Sequence, residues 1–562
     1  MKSRLIIVLA IVCILLAGAE LLNATAPGTA KNVKLVGRNS LFGRGMNAAA
    51  ANYKHFLYVG NRTDGSSHCG FGDPRISTTG PDSCPHPHPG ILIVDIKDPT
   101  NPTVVGEIPA PLNTQGQPIG LTSREVRVWP EKKLLMTMNF HCSSLLHACP
   151  PGTIPITPFD IKFFSLNDPL HPKFISDYVP TSSAGVQVEP HEMFLWTDPN
   201  NEDRALLFIS TPNINADNVP NLLIVDISQV SHGGAVTEVA EGNWNNRYPG
   251  TSDPNTYPFD NNSADGCGPY DCNLFVHSMS VKPDGMLTYL ALEAGHFLVL
   301  DTSQVAAGVP NPQLTLLTDP LNRPVWLQSP LDPTAIPGEF PGGCSSQRVV
   351  FGILSSQNCP NSHSAVKVPG RKLALTTDEV YGTLTFLNQG CSWGWARLID
   401  VSDPTKPFIT GEYKIDEDNL SFCGATFDDA VTEFTRSYSS HNPTLTPHLA
   451  FIDWHSGGLQ VIDTSDPTNP VQAGFFVPNP PASVANEDPG LSQGTASRNN
   501  KTVFWSYPII KDGLIYVIDI RNGLFVFKYT GAHADEVRGI DFLEGNSNLG
   551  DAADLDEGEN SQ

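Results

Sequence analysis

The chain has 562 residues, and its 34 lysines and arginines stand against 58 aspartates and glutamates, a formal net charge of −24. An acidic body argues against nucleic-acid binding, which needs clustered Lys and Arg to neutralise phosphates, and equally against docking on anionic lipid. The length exceeds one ordinary domain, yet a repeat fold closed on itself reaches this size as a single unit.

In chain order, Lys2 and Arg4 precede an apolar run from Leu5 to Ala17 and the small residues Gly18 and Ala19. This is the order of a secretory signal peptide, so residues 1–19 are expected to be cleaved. The run is shorter than the ~20 apolar residues that cross a bilayer, so no transmembrane span is expected after cleavage. The mature chain is placed outside the cytoplasm, secreted or at the cell surface. It keeps ten cysteines in neighbouring pairs: Cys69 with Cys84, Cys142 with Cys149, Cys267 with Cys272, Cys344 with Cys359, and Cys391 with Cys423. An even count in an exported chain reads as disulfides, here pinning long excursions between strands.

Internal repetition sets the fold. Ile91 to Asp95 leads to Asp98-Pro99-Thr100-Asn101-Pro102, Leu398 to Asp400 leads to Asp403-Pro404-Thr405-Lys406-Pro407, and Val461 to Asp463 leads to Asp466-Pro467-Thr468-Asn469-Pro470. Each copy then reaches a glycine, Gly106, Gly411 or Gly474, and weaker copies lie at Phe163 to Pro172, Leu222 to Asp226 and Phe297 to Asp301. A β-branched apolar run is a buried strand, and the Asp-Pro step ends it because aspartate bonds the turn backbone while proline fixes φ. The second proline opens an edge strand, where a missing N–H is tolerated. An upstream pattern, such as Val281 to Gly285 before Leu287 to Leu292, supplies two more strands per repeat.

Units follow near 46–110, 121–180, 188–240, 273–318, 360–416, 438–478 and 502–530. Each sheet is too small to bury both faces alone, so the sheets stack radially. The expected fold is all-β, a seven-bladed β-propeller over residues 32–530. The last unit is one strand short, and Asn32 to Gly37 resembles the missing outer strand, so the N-terminal strand closes the ring and removes an edge. Residues 531–562 carry nine acidic residues against one arginine and few large apolar ones, and are expected to be a disordered tail.

The run Ile93-Val94-Asp95-Ile96 with Asp98-Pro99 resembles the LVIVD repeat of secreted and surface bacterial and archaeal proteins, a family whose fold is understood to be a propeller. The resemblance implies a fold and a location and almost no chemistry. More distantly, the arrangement is similar to selenium-binding-protein and methanethiol-oxidase propellers, which carry histidines in the funnel and use copper.

His191, His277, His363 and His441 stand at the start of the first strand in successive units, the first three spaced 86 residues apart. First strands line a propeller's channel, so four imidazoles converge on one mouth. Glu192, Ser278, Ser364 and Asn442 follow them, and Arg124-Glu125 and Ser506-Tyr507 are the nearest counterparts in two units without the histidine. The ends of the second strands suggest another polar ring: Asn139 and His141, Glu293, Asp378 and Glu379, Asp453 and His455, Asp519 and Arg521.

Neutral imidazoles beside carboxylates suit a borderline metal, copper or zinc first, with an open position for substrate. The plain structural alternative is that the repeat reuses histidine to bond a neighbouring blade's backbone. Asp95, Asp400 and Asp463 are read as turn caps. No nucleophile elbow, Walker loop, dinucleotide fingerprint or His-Glu-x-x-His helix is present. Two functions therefore compete. One is an exported binding protein presenting disulfide-tied loops to a protein or glycan partner. The other is a metal-dependent enzyme with His191, His277, His363 and His441 as ligands and Glu293, Asp378 or Asp453 as acid or base, taking a small-molecule ligand at the channel mouth.

Overall fold

A computed structural model describes residues 28–62, 79, 86, 88–110, 121–141, 159–211, 220–242, 276–292, 296–318, 348–350, 353–355, 362–379, 394–418, 438–479 and 502–557. The expected signal peptide, the ten cysteines of the expected pairs and Glu293 lie outside the described residues.

Seven antiparallel sheets form the blades of the propeller. Blade 1 runs Asn47–Tyr53, Phe56–Asn61, Ile91–Asp95 and Thr103–Ile108, and blades 2 to 5 repeat this inner-to-outer order of four strands. Blade 6 is built on Pro443–Leu445, Leu449–Trp454, Gly458–Asp463 and Val471–Val477, and blade 7 on Ile509–Lys511, Leu514–Asp519 and Gly523–Tyr529. The expected closure is present: Val33–Asn39 pairs antiparallel with Gly523–Tyr529 of blade 7, Val33 lying opposite Tyr529 and Asn39 opposite Leu524. Thr29–Lys31 adds a fifth strand to blade 6 that the sequence did not suggest. The N-terminal strands thus join two adjacent blades and cover both outer edges.

The repeat chemistry is visible atom by atom. Asp95, Asp400 and Asp463 accept the backbone N–H two residues on, at 2.8, 2.9 and 2.9 Å. Asp98, Asp403 and Asp466 do the same for Thr100, Thr405 and Thr468, each at 3.0 Å. The glycines of the outer strands serve blade contact. A Cβ on Gly411 would overlap the carbonyl oxygen of Pro467 in the next blade, and one on Gly37 of the closing strand would overlap that of Pro99. At these two positions the Asp-Pro turn of the next blade seats against a bare backbone that no larger residue permits, whereas a Cβ on Gly106 would meet only ordinary contacts.

The C-terminal segment is folded, which corrects the expected disorder up to Glu557. A helix at Ala534–Gly539, a short strand at Phe542–Leu543 and a helix at Ala552–Asp556 follow the last blade. Phe542–Leu543 pairs with Ile509–Lys511, the inner strand of blade 7. From there the chain crosses to blade 3, where the N–H of Leu195 donates to the carbonyl of Asn546 at 3.2 Å, and to blade 5, where Lys367 meets Asp556 at 3.2 Å. Val537, Ile540, Leu543 and Leu549 are each at most 5% exposed. Few apolar residues suffice because each one lands on the face of a finished core, so the composition of the segment misleads.

Candidate metal centre

The histidines are positioned by an irregularity that recurs in successive blades. In blade 4 Val276 lies opposite Leu292 and Ser278 opposite Ala291, so His277 is the extra residue of a β-bulge. His363 is the extra residue in blade 5 and Arg124 in blade 2. In blade 3 the N–H of His191 donates to the carbonyl of Ser210, while the N–H of Ser210 donates to that of Glu192; His441 and Asn442 share Asp453 in the same way, and the N–H of Trp505 donates to Ile518 in blade 7. A bulge sets two successive residues opposite one and re-aims the first of them. Here it turns one side chain per blade into the channel mouth. The seventh-blade counterpart is therefore Trp505, one residue before the expected Ser506-Tyr507.

All four expected histidines are brought together. Nε2 of His191 and Nε2 of His277 are 2.9 Å apart. Ring centroids follow at 3.7 Å from His277 to His363 and 4.1 Å from His363 to His441. The second-strand ring contributes two further members. Glu379 places its carboxylate 3.3 Å from His363 Nε2, 3.2 Å from His441 Nε2 and 3.3 Å from His455 Nε2. Both groups that could hold an ion here, Glu192 with His277 and His363, and His363 with Glu379 and His441, are fully composed of buried residues.

Burial decides the charge state of the imidazoles. It pushes His277 down to about 3, and it lowers His191, His363 and His455 as well, with neighbouring imidazoles adding to the effect for His191 and His363. Neutral imidazoles with available lone pairs result at neutral pH. Burial alone would raise Glu379, but His441, His363 and His455 outweigh it and hold the carboxyl well below its usual range.

His441 fixes the arrangement most sharply. Its Nδ1 lies 2.7 Å from the carbonyl oxygen of Trp505. A carbonyl only accepts, so Nδ1 carries the hydrogen and Nε2 is the atom directed at Glu379. That atom lies 3.2 Å from the Glu379 carboxylate. A buried carboxylate against an imidazole nitrogen is balanced by positive charge, supplied by a proton on the ring or by a metal ion in its place.

The LVIVD repeat family matches at residues 88–109 and 449–476. This propeller carries LVIVD repeats. No curated protein matches the sequence. Among solved structures, a Lactobacillus plantarum protein is 10% identical over 77% of this chain and 85% of its own, with a TM-score of 0.40. Two structures of Chaetomium thermophilum Sqt1 are each 12% identical; they cover 89% and 90% of this chain and 86% and 99% of their own, with TM-scores of 0.38 and 0.39. None of these is named for a selenium-binding protein or a methanethiol oxidase, and the fold rests on the sheets described above.

The LVIVD matches cover the third and fourth strands of blade 1 and the second to fourth strands of blade 6, whereas the candidate centre draws on the first strands and the ends of the second. The expected acid or base residues within the described chain do not join it. Asp378 directs its carboxylate to Arg397, which also meets Glu412 at 2.7 Å, so it belongs to a buried ion-pair network rather than to the imidazoles. Asp453 is wholly buried, neither oxygen has a hydrogen-bond partner among the described residues, and burial followed by the charge of Asp519 raises it well above the usual range. Glu379 and His455, noted in the sequence only as rim residues, are the ones that complete the cluster. On the Glu192 side of the cluster, Tyr507 Oη lies 3.3 Å from the carboxyl of Glu192, which is raised by burial and by neighbouring Glu125.

Proposed function

We propose that the axial histidines hold one divalent metal ion, copper or zinc, and that the protein is an exported metal-dependent propeller enzyme. The observation that carries this reading is the convergence of buried imidazole nitrogens on one carboxylate: Glu379 lies 3.2–3.3 Å from the Nε2 atoms of His363, His441 and His455. The donor set supports the choice of metal: imidazole nitrogen and carboxylate oxygen suit borderline ions, and His363, Glu379 and His441 bring such atoms together in one buried group. Such an ion would supply Lewis-acid or redox chemistry. Glu379 would balance its charge, and the carbonyl of Trp505 would hold the His441 tautomer that exposes Nε2. Export is part of the proposal and is supported by the basic and apolar order of residues 1–19.

Elemental analysis of protein purified without an affinity tag tests it. Near-stoichiometric copper or zinc is expected, with loss of the ion when His363 and His441 are both replaced by alanine. Protein that stays free of either metal after supplementation, while folded, overturns the reading.

A further inference from the structure

The ring around the candidate centre contains a buried cation without a counter-charge among the described residues. Arg62 is 0% exposed, and its Nε, Nη1 and Nη2 have no hydrogen-bond partner there. An unpaired guanidinium inside a protein carries a desolvation cost of several kcal/mol, and a fold keeps such a group only where something else pairs with it.

Its place in the repeat is the same as that of Glu379 and His455. Thr377 and Asp453 lie opposite the bulges of blades 5 and 6, and Glu379 and His455 follow them by two residues. In blade 1 the ladder slips between Asn47 opposite Asn61 and Ala50 opposite Val59, which leaves Gly60 opposite the bulge and Arg62 two residues beyond it. The first-strand residues at that bulge are the small Ala48 and Ala49. Blade 1 thus offers the channel no large first-strand side chain, and Arg62 fills its share of the ring. The guanidinium carbon stands 4.2 Å from the centre of the Trp505 ring, and that same indole lies 4.1 Å from His441 and 5.5 Å from His455, nearly parallel to the latter. After burial and other neighbours, Arg62 is also among the charges that disfavour a proton on His191 and on His455, on the two sides of the histidine arc.

We propose that Arg62 anchors the carboxylate of a small anionic substrate beside the metal centre. The inference rests on the metal reading for the word substrate, but the anion site itself does not. A guanidinium presents a planar fork that takes a carboxylate through two parallel hydrogen bonds, and Trp505 holds the plane of that fork by cation–π contact. Arg62 and the histidines His441 and His455 share contact with one indole, Trp505. A ligand bonded to Arg62 by its carboxylate would therefore lie beside the histidine cluster.

The test is calorimetric titration of acetate and of its neutral counterpart acetamide, on zinc-loaded and on metal-free protein, for wild type and Arg62→Gln. Wild type is expected to bind acetate saturably and acetamide at least tenfold more weakly. R62Q is expected to weaken acetate at least tenfold with zinc content unchanged. Equal acetate affinity in wild type and R62Q, or no preference for acetate over acetamide, overturns the inference even if zinc is bound in full. Absence of zinc with acetate binding that still depends on Arg62 overturns the metal reading and leaves the anion site standing. Should R62Q lose its cooperative unfolding transition, Arg62→Lys, which keeps the charge and removes the fork, is expected to weaken acetate at least threefold, and an unchanged affinity in R62K would count against the proposal.

Discussion

Asp378 and Glu379 are neighbours in sequence, and their replacement by the isosteric amides is expected to give opposite results. Glu379→Gln keeps the shape of a side chain that lies 3.2–3.3 Å from three imidazole nitrogens and removes its charge. At ~3.3 Å and an effective dielectric of ~20, one carboxylate interacts with each unit of positive charge by about 5 kcal/mol. Desolvation absorbs much of that. Removing a group that only supports ligands already costs about 10–100-fold in metal affinity, so a carboxylate in direct contact with the cluster should cost at least about 100-fold. Asp378→Asn removes one of the two carboxylates that neutralise buried Arg397, while Glu412 stays 2.7 Å from its Nε. Breaking one partner of such a pair costs about 3–5 kcal/mol of stability, with metal affinity unchanged. Chelator competition reads the first effect and denaturant unfolding the second. A loss of less than tenfold in E379Q, or a larger metal defect in D378N than in E379Q, refutes the reasoning that Glu379 and not Asp378 serves the centre.

Two further outcomes probe the scaffold. Asp418 is wholly buried, and burial followed by the charge of Glu417 raises it well above the usual range. A carboxyl whose folded pKa exceeds its unfolded value contributes stability that is complete below about pH 3.8 and is lost as pH rises through the folded value; Asp418→Asn should therefore raise stability at neutral pH and leave it unchanged at pH 3, as denaturant midpoints at the two pH values will show. Gly411→Ala sets a methyl group against the carbonyl oxygen of Pro467 and should cost about 1–3 kcal/mol by forcing blades 5 and 6 apart, whereas an unchanged unfolding midpoint would mean that the glycine does not govern blade contact.

The outer half of each blade was legible because its signals are local. An aspartate that caps its own turn and a proline that fixes φ act within a few residues, so Asp98-Pro99, Asp403-Pro404 and Asp466-Pro467 reveal the same turn wherever they occur. The closing strand could be read for a related reason: Asn32 to Gly37 repeats the outer-strand pattern, including the glycine at which the next blade's turn seats. The four histidines were legible by spacing alone. What the spacing hides is register. Trp505 rather than Ser506 is the counterpart of His441 because the bulge sits one residue earlier than the sequence pattern suggests, and Arg62 gives no signal in the sequence because blade 1 reaches the axis from its second strand. The tail misleads for another reason: an average over composition ignores that Leu543 and Leu549 need only a surface already made by other blades.

The recurring bulge explains why a structural repeat yields a site at all. A regular inner strand alternates its side chains between its two faces, and both faces of these blades are occupied by neighbouring blades. No residue of such a strand is free to project along the axis. Inserting one residue breaks the alternation at a single point, so that His277 and Ser278 both lie opposite Ala291 and the first is released from the sheet. The backbone change can repeat without the side chain repeating. Arg124, His277 and His363 share the same place in the bulge, and the chemistry of the ring is set by which residue each blade puts there. The fold therefore fixes where groups converge, and single residues fix what converges.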